Sequence, residues 1–192
     1  MNKVLVLVDN GFFKLVRKSF ELKSGKKKMF LQTFRNICKN EDLEMEHLFV
    51  YMAPPFQSRI PINVEKLLRK KYDSIKKMLD KKEWITVREG RCQKIVDNKG
   101  IRFNQKGVDS WIVADMCLFK EDSPDVDKII LISSDSDFAP IIEMIQKKKN
   151  IEVILYTYFD KDRNSFFFRS NHLLKSCSKW IKLREEDFKN KE

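Results

Sequence analysis

The sequence predicts an α/β fold, a three-layer sandwich whose mainly parallel central sheet has about five strands. Short apolar runs typical of buried strands alternate with longer segments of helical periodicity, which is the pattern of parallel strands joined by crossover helices. The chain has 192 residues, 42% of them hydrophobic, and a domain of this length buries about 70% of its unfolded surface. We therefore expect a single domain over residues 1–192, with a peripheral C-terminal tail from about residue 184.

Strands are predicted where apolar residues run together. The first strand is predicted over residues 3–8. Its residues 4–8 form a continuous apolar run of the kind that is buried on both faces of a parallel sheet, so this strand is expected at the centre. The other predicted strands cover 47–52, 84–88, 128–133 and 152–156, with 180–183 as a candidate edge strand. A hairpin over 93–103 is expected to turn at Asp97-Asn98-Lys99-Gly100.

Helices are predicted between these strands. Their expected ranges are 12–20, which follows a turn at Asn10-Gly11, then 28–40, 62–82, 107–120, 137–148 and 170–177. In the helix over 62–82 the apolar residues keep helical spacing while lysines and arginines occupy the other side. This pattern predicts an amphipathic helix with a basic outer face, whose lysines are either solvated or in contact with nucleic acid.

The composition excludes several kinds of site. The four cysteines are scattered without a CxxC pair, which favours reduced, buried thiols over disulfides or zinc. The two histidines are far apart, which argues against a histidine metal site or a Ser-His-Asp triad, and no GxSxG motif is present. No apolar stretch is long enough for a secretory core or a membrane span, so we expect a soluble, cytoplasmic protein without a membrane partner. The sequence indicates nothing about oligomeric state.

The chain is strongly basic. It has 39 Lys and Arg against 28 Asp and Glu, a net charge of +11. Such an excess indicates a polyanionic partner, most commonly nucleic acid, although a lysine-rich solvated surface gives the same count.

Four aspartates are expected where the chain changes from strand to helix. Asp9 follows the first strand, Asp135 and Asp137 follow the fourth, and Asp109 opens the helix near residue 107. Ligands of open α/β sheets bind outside the carboxyl ends of the strands, so these side chains are expected to converge. At an effective dielectric constant of 20, two carboxylates about 4 Å apart repel by about 4 kcal/mol. A cluster of them therefore implies raised pKa values or bound cations, and oxygen ligands favour Mg²⁺ or Mn²⁺.

Helix capping is the alternative explanation of these aspartates. Asp9, Asp135 and Asp137 each stand where a side chain can accept backbone N–H groups, and Asp109 stands in a first turn, where the helix dipole favours an acid. Capping explains any one of them well but explains the set poorly, so we favour a functional role.

Asp115 lies on the same predicted helix as Asp109. Six residues of α-helix correspond to a rotation of about 600° and a rise of about 9 Å, which places Asp115 about 120° around from Asp109. We therefore expect Asp115 to support the site through hydrogen bonds or to form a salt bridge, not to share an ion with Asp109.

Several blocks of the sequence, taken together and in order, resemble the NYN domain family of PIN-like nucleases. The blocks are Val8-Asp9-Asn10-Gly11, Ala53-Pro54-Pro55, Gln105-Lys106-Gly107-Val108-Asp109 with Ala114-Asp115-Met116, Ser133-Ser134-Asp135-Ser136-Asp137-Phe138, and Ser170-Asn171-His172-Leu173-Leu174 before Trp180-Ile181-Lys182-Leu183. The third and fourth blocks in combination are specific to the family, whereas either alone is weak.

The resemblance implies a PIN-like Rossmannoid fold and a metal-dependent nuclease centre that usually acts on RNA. It assigns metal binding and catalysis to Asp9, Asp109, Asp135 and Asp137, with one or two Mg²⁺ or Mn²⁺ ions activating a water molecule. It also suggests that Lys106, Ser134 and Ser136 contact phosphate. The chain departs from the family pattern at Phe12, where a polar residue is frequent, and at Ser134, where glycine is frequent; Asn10 is expected to supply the missing amide.

The leading hypothesis is therefore a metal-dependent endoribonuclease acting on single-stranded RNA, with RNA favoured over DNA. An alternative is an RNA-binding or regulatory module that keeps the fold and has lost turnover. A magnesium-dependent phosphatase is disfavoured, because Asp9 is followed by Asn10 and Gly11 and the DxD nucleophile pair is missing.

Overall fold

The computed structural model describes residues 2–25, 29–98, 100–160 and 167–189. The elements along this part of the chain are β1 (Asn2–Asp9), α1 (Asn10–Ser24), α2 (Phe30–Asn40), β2 (Leu43–Met52), α3 (Asn63–Asp80), β3 (Ile85–Glu89), β4 (Arg91–Asp97), β5 (Gly100–Lys106), α4 (Val108–Asp122), β6 (Lys128–Ile132), α5 (Ala139–Lys149), β7 (Glu152–Thr157), α6 (Asn171–Ser176) and β8 (Lys179–Lys182). Two 3₁₀ helices cover Ser136–Phe138 and Glu185–Phe188.

The central sheet is parallel throughout, in the order β3-β2-β1-β6-β7-β8. This confirms the predicted fold class and the central place of the first strand. The sheet has six strands and not the expected five, because the candidate edge strand β8 pairs with β7, placing Trp180 opposite Leu155. The hairpin of β4 and β5 forms a separate antiparallel pair and is longer than predicted. Lys99, in its predicted turn, lies outside the described residues.

Helices cover both faces of the sheet. Because side chains alternate along a strand, Val4, Val6 and Val8 of β1 enter the core beneath α1 and α2, whereas Leu5 and Leu7 enter the core beneath α4, α5 and α6. All five are essentially inaccessible to solvent. The three-layer sandwich is thus confirmed, and the side chain of Asp9 continues the Leu5–Leu7 face toward α4. None of the helices that the structure describes is long and apolar enough to cross a membrane.

The start of α1 differs from the sequence prediction. Asn10 and Gly11 are not a turn but the first residues of the helix, because Oδ1 of Asp9 accepts a hydrogen bond of 3.2 Å from the backbone N–H of Phe12. An N-cap of this kind satisfies a free helix donor and lets the strand pass directly into the helix.

The amphipathic face predicted for the third helix is largely exposed. Tyr72 and Leu79 are the buried residues of α3, and its remaining large apolar side chains face solvent: Val64, Leu67, Leu68, Ile75 and Met78. The cause is the position of α3 over β3, a five-residue strand at the edge of the sheet, which offers little apolar surface to cover.

The tail beyond residue 184 is packed where we expected it to be peripheral. Phe188 is 1% exposed, and its ring stacks on that of Phe13 with centroids 5.4 Å apart. The side-chain amide of Asn36 donates to the carbonyl of Asp187 at 3.0 Å. The segment up to Lys189 therefore closes the core on the α1–α2 side, while residues 190–192 lie outside the described residues.

Candidate active site

Two neighbouring strands of the sheet carry the first part of the site. β1 ends at Asp9 and β6 ends at Ile132, and Val8 and Ile132 are partners in the parallel register. The next residues, Asp9 and Ser133, therefore lie side by side at the carboxyl edge of the sheet, the edge where α/β proteins bind ligands.

Ser133 links these strand ends. Its buried hydroxyl donates to Oδ2 of Asp9 at 3.3 Å and accepts from the backbone N–H of Asp135 at 3.2 Å. Sequence reasoning chose Ser134 and Ser136 and missed this residue. The signal available was its place as the first polar residue after an apolar strand, on the same face as Ile129 and Leu131.

Asp135 caps the 3₁₀ helix that follows it. Its Oδ1 accepts a hydrogen bond of 2.9 Å from the backbone N–H of Asp137. Capping is therefore real for both Asp9 and Asp135, but each carboxylate oxygen can accept more than one donor or ligand. The capping bonds fix the orientation of these side chains and leave lone pairs free.

Asp109 reaches the same edge from α4. It lies in the first turn of this helix and is exposed. The start of α4 is held by a close approach at Gly90, where a methyl group would lie 2.4 Å from the carbonyl oxygen of Lys106 and 2.8 Å from a methyl of Val108. Any side chain at residue 90 would push the corner between the hairpin and α4 apart, and Asp109 would move with it.

The four aspartates form one electrostatic cluster. Burial raises the pKa of Asp9, a shift that the hydrogen bond from Phe12 opposes and the charge of Asp109 reinforces. Asp109 is exposed as a residue, but partial desolvation of its carboxyl raises its pKa, and the charges of Asp135 and Asp137 raise it further. Asp109 is thus within the range of charge repulsion of the other three carboxylates.

The cluster fits a hard cation in its chemistry. Within the described parts of the chain none of the four carboxylates has an ion pair with Lys or Arg, and a bound cation relieves such repulsion. Carboxylate oxygens are the ligands of Mg²⁺ and Mn²⁺. The side chains do not close on one point, because among the residues described no three His, Cys, Asp or Glu groups stand close enough to hold an ion together.

Asp115 is a salt-bridge partner. The guanidinium of Arg88 donates to both of its oxygens, at 2.9 and 3.1 Å, and the hydroxyl of Tyr51 donates to Oδ2 at 2.9 Å. Tyr51 is the register partner of Asp9 on the neighbouring strand, so this buried network borders the cluster. The structure does not bring the carboxylate of Asp115 into the cluster itself, which agrees with its place 120° around the helix.

Breaking this network should destabilise the fold. Arg88→Met leaves a buried carboxylate with only the Tyr51 hydroxyl, and we expect the free energy of unfolding in urea to fall by about 1.5–3 kcal/mol, the range for a hydrogen bond to a charged group. Arg69→Met is the matched control, because Arg69 pairs with Asp73 on the exposed surface of α3 and such pairs contribute about 0.3–0.5 kcal/mol. Equal losses in the two variants would contradict a structural role for the buried pair.

The remaining candidates are sequence neighbours of the four aspartates. Asn10 and Ser134 are half-buried, whereas Ser136 and Lys106 are exposed. In the described segments none of these four side chains has a hydrogen bond to the aspartates. Their roles in binding substrate stay predictions.

Gln105 is a further neighbour that sequence reasoning did not single out. A methyl group at Gly11 would lie 3.2 Å from Oδ1 of Asp9 and 3.5 Å from Oε1 of Gln105. The end of the hairpin thus reaches over the first turn of α1, and glycine at residue 11 keeps Asp9 and the Gln105 amide close. Only the fold brings these residues together, since they are far apart in sequence.

Comparisons with known proteins give a family match and a structure of similar fold. The family model of the NYN domain matches residues 62–184, which include Asp109, Asp135 and Asp137 but not Asp9. A crystal structure of a protein of unknown function from Vibrio parahaemolyticus shares 20% sequence identity, with 97% of this chain and 95% of that chain covered and a TM-score of 0.55. At this identity the likeness shows the fold alone. The comparison with curated protein sequences gives no match.

The family match covers well over half of the chain, and the PIN-like α/β fold expected from the motifs is confirmed. The chain therefore belongs to the NYN domain family, a family of PIN-like nucleases.

Proposed function

We propose that this protein is a divalent-cation-dependent endoribonuclease that hydrolyses phosphodiester bonds of single-stranded RNA at the four-aspartate cluster. The observation that carries the proposal is a set of four carboxylates at the carboxyl edge of a parallel sheet, in which Asp109 is repelled by the other three and none has a Lys or Arg ion pair in the described structure. The net charge of +11 supports a polyanionic substrate. RNA is favoured over DNA because the NYN family implies RNA binding in general.

We assign each residue of the site a separate role in the proposed reaction. Asp9, Asp109, Asp135 and Asp137 would hold Mg²⁺ or Mn²⁺, which when bound supplies Lewis acidity and lowers the pKa of a water molecule. Ser133 orients Asp9 through its hydroxyl and the loop of Asp135 through the backbone. Lys106, exposed at the end of β5, offers a cation for the scissile phosphate. Asp9 is half-buried, and its carboxylate keeps a fixed orientation because the N–H of Phe12 and the hydroxyl of Ser133 donate to its two oxygens.

One observation favours a second candidate, an RNA-binding or regulatory module without turnover. Among the described residues the acidic side chains do not close into a three-ligand group. A module of this kind would bind RNA with an affinity that falls with salt, and it would leave the strand intact.

Cleavage of a circular single-stranded RNA tests the proposal. A circle has no ends, so its conversion to linear fragments in Mn²⁺ or Mg²⁺, and its survival in EDTA, would establish metal-dependent endonucleolytic cleavage. A matched DNA circle tests the preference for RNA. Intact circles under every condition, together with salt-sensitive binding, would support the regulatory module. Hydrolysis of a small chromogenic phosphomonoester alone would instead indicate a phosphatase.

A further inference from the structure

The hairpin of β4 and β5 has an uncovered face. Its cross-strand partners on one side are Cys92 with Gln105, Lys94 with Phe103, and Val96 with Ile101. Val96, Ile101 and Phe103 are 70%, 58% and 56% exposed, and an isolated two-stranded hairpin is marginally stable in water. An exposed apolar surface on such an element indicates that this face, which we call the hairpin face, is used for binding.

The hairpin face leads to the candidate active site. Gln105 lies on it and is the residue whose amide stands beside Gly11 and Asp9. Same-face residues of a strand are separated by about 6.8 Å, so Phe103 and then Ile101 continue in a row away from the carboxylates. A ligand lying along this row has one end at Asp9.

An aromatic pair forms the middle of the row. The rings of Phe103 and Phe56 are in contact, with centroids 5.6 Å apart and planes at 40°, and Nζ of Lys94 is 5.8 Å from the centroid of Phe56. Phe56 is half-buried in the segment after β2, so it holds the more exposed ring of Phe103 in place. A fixed, exposed aromatic ring beside a lysine is the arrangement that stacks an unpaired base next to its phosphate.

The positive charge of the hairpin favours a polyanionic ligand. Residues 91–106 contain five basic residues and one acidic residue: Arg91, Lys94, Lys99, Arg102, Lys106 and Asp97. Arg102 pairs with Asp97. Arg91, Lys94 and Lys106 form no salt bridge with another described residue and can contact a polyanion. Exposed rings flanked by positive charge fit a single strand with unstacked bases better than a duplex, whose bases are hidden.

We propose that the hairpin face is a guide for single-stranded nucleic acid, in which Phe103 stacks a base and Lys94 contacts the backbone while the strand runs past Gln105 to Asp9. The inference deepens the proposed function and rests on it for the position of the cleaved bond. The guide itself is a binding surface, and its binding is measurable without cleavage.

Binding of a labelled single-stranded RNA in EDTA, followed by fluorescence anisotropy, tests the guide. Phe103→Leu keeps an apolar side chain against Phe56 but removes the ring, and we expect affinity to fall by about tenfold or more. Phe103→Tyr keeps the ring and should bind within about twofold of wild type. Leu118→Ala, a change of an exposed apolar residue on α4, is the control and should leave binding unchanged. Lys94→Gln should reduce the dependence of binding on salt by about one phosphate contact.

The outcomes separate the guide from the proposed function. Equal affinity of wild type and Phe103→Leu would overturn the guide even if cleavage is normal. Weakened binding by Phe103→Leu, restored in Phe103→Tyr, would support the guide even if wild type cleaves nothing. If wild type binds no RNA or DNA, both proposals fall. Concentration-dependent self-association that Phe103→Leu abolishes, without an effect on RNA binding, would assign the hairpin face to protein contact and overturn the guide.

Discussion

Asp135→Asn should lower the rate of RNA cleavage in Mn²⁺ by about 10²–10³-fold, the usual cost of removing one group that stabilises charge in a transition state. Asn has nearly the same shape as Asp, and its amide oxygen can still accept from the N–H of Asp137, as Oδ1 of Asp135 does. What the variant loses is a negative charge in a cluster whose members already repel. The loss should therefore appear in catalysis and cation binding, not in the fold. Single-turnover cleavage at saturating enzyme measures it.

Asp125→Asn is the matched control for this variant. Asp125 is an exposed aspartate in the loop before β6, at the opposite edge of the sheet from Asp135. The Asp125→Asn variant removes one negative charge, as Asp135→Asn does, so it corrects for any general change in the attraction of the protein to RNA. We expect Asp125→Asn to cleave at the wild-type rate. Equal rates for wild type and Asp135→Asn, with both folded by circular dichroism, would place the chemistry elsewhere.

The sequence predicts the parts of this protein that local signals determine. The run from Val4 to Val8 is apolar on every residue, as a strand covered on both faces must be, and β1 is indeed central. The aspartates that follow the strands can be located in the sequence as well, because each apolar run shows where its strand ends. These local patterns, together with the order of the motifs, are sufficient for the fold class, which is confirmed. The role of the carboxylates stays a prediction.

What the sequence does not predict depends on contacts between distant segments. Ser133 matters because β6 lies beside β1, and Gln105 matters because the hairpin folds back over α1; neither fact is encoded near those residues. The exposure of the apolar side of α3 has a similar origin, because helical spacing shows that a side is apolar but not whether anything covers it. Phe188 is part of the core because its ring stacks on that of Phe13, a residue far away in the sequence.

Asp109→Asn should make the cation-free protein more stable near neutral pH. Partial desolvation of the carboxyl and the charges of Asp135 and Asp137 raise the pKa of Asp109 in the folded state above its value in the unfolded chain. A raised carboxyl pKa means that the folded state holds the proton more tightly. The ionised group therefore costs stability. The cost is absent below the unfolded pKa of about 3.9, grows as the pH rises through the raised folded value, and is fully present above it. The advantage of Asp109→Asn over wild type should accordingly be present in EDTA at pH 7 and disappear below about pH 4.

Saturating Mn²⁺ should reverse this order. A cation that binds only the folded state at about 100 times its Kd stabilises it by about 2.7 kcal/mol, and about 2–4 °C of Tm per kcal/mol for a chain of this length gives a rise of about 5–10 °C in wild type. Asp109→Asn lacks one of the carboxylates that would hold the ion, so its Tm should rise by much less, while Asp125→Asn should respond as wild type does. The cation then relieves the same charge repulsion that destabilises the cation-free protein. The reversal of the order of the two Tm values between EDTA and Mn²⁺ measures this relief without any RNA present. Parallel responses of wild type and Asp109→Asn to Mn²⁺, in thermal melts at pH 7, would show that the cluster does not hold the cation.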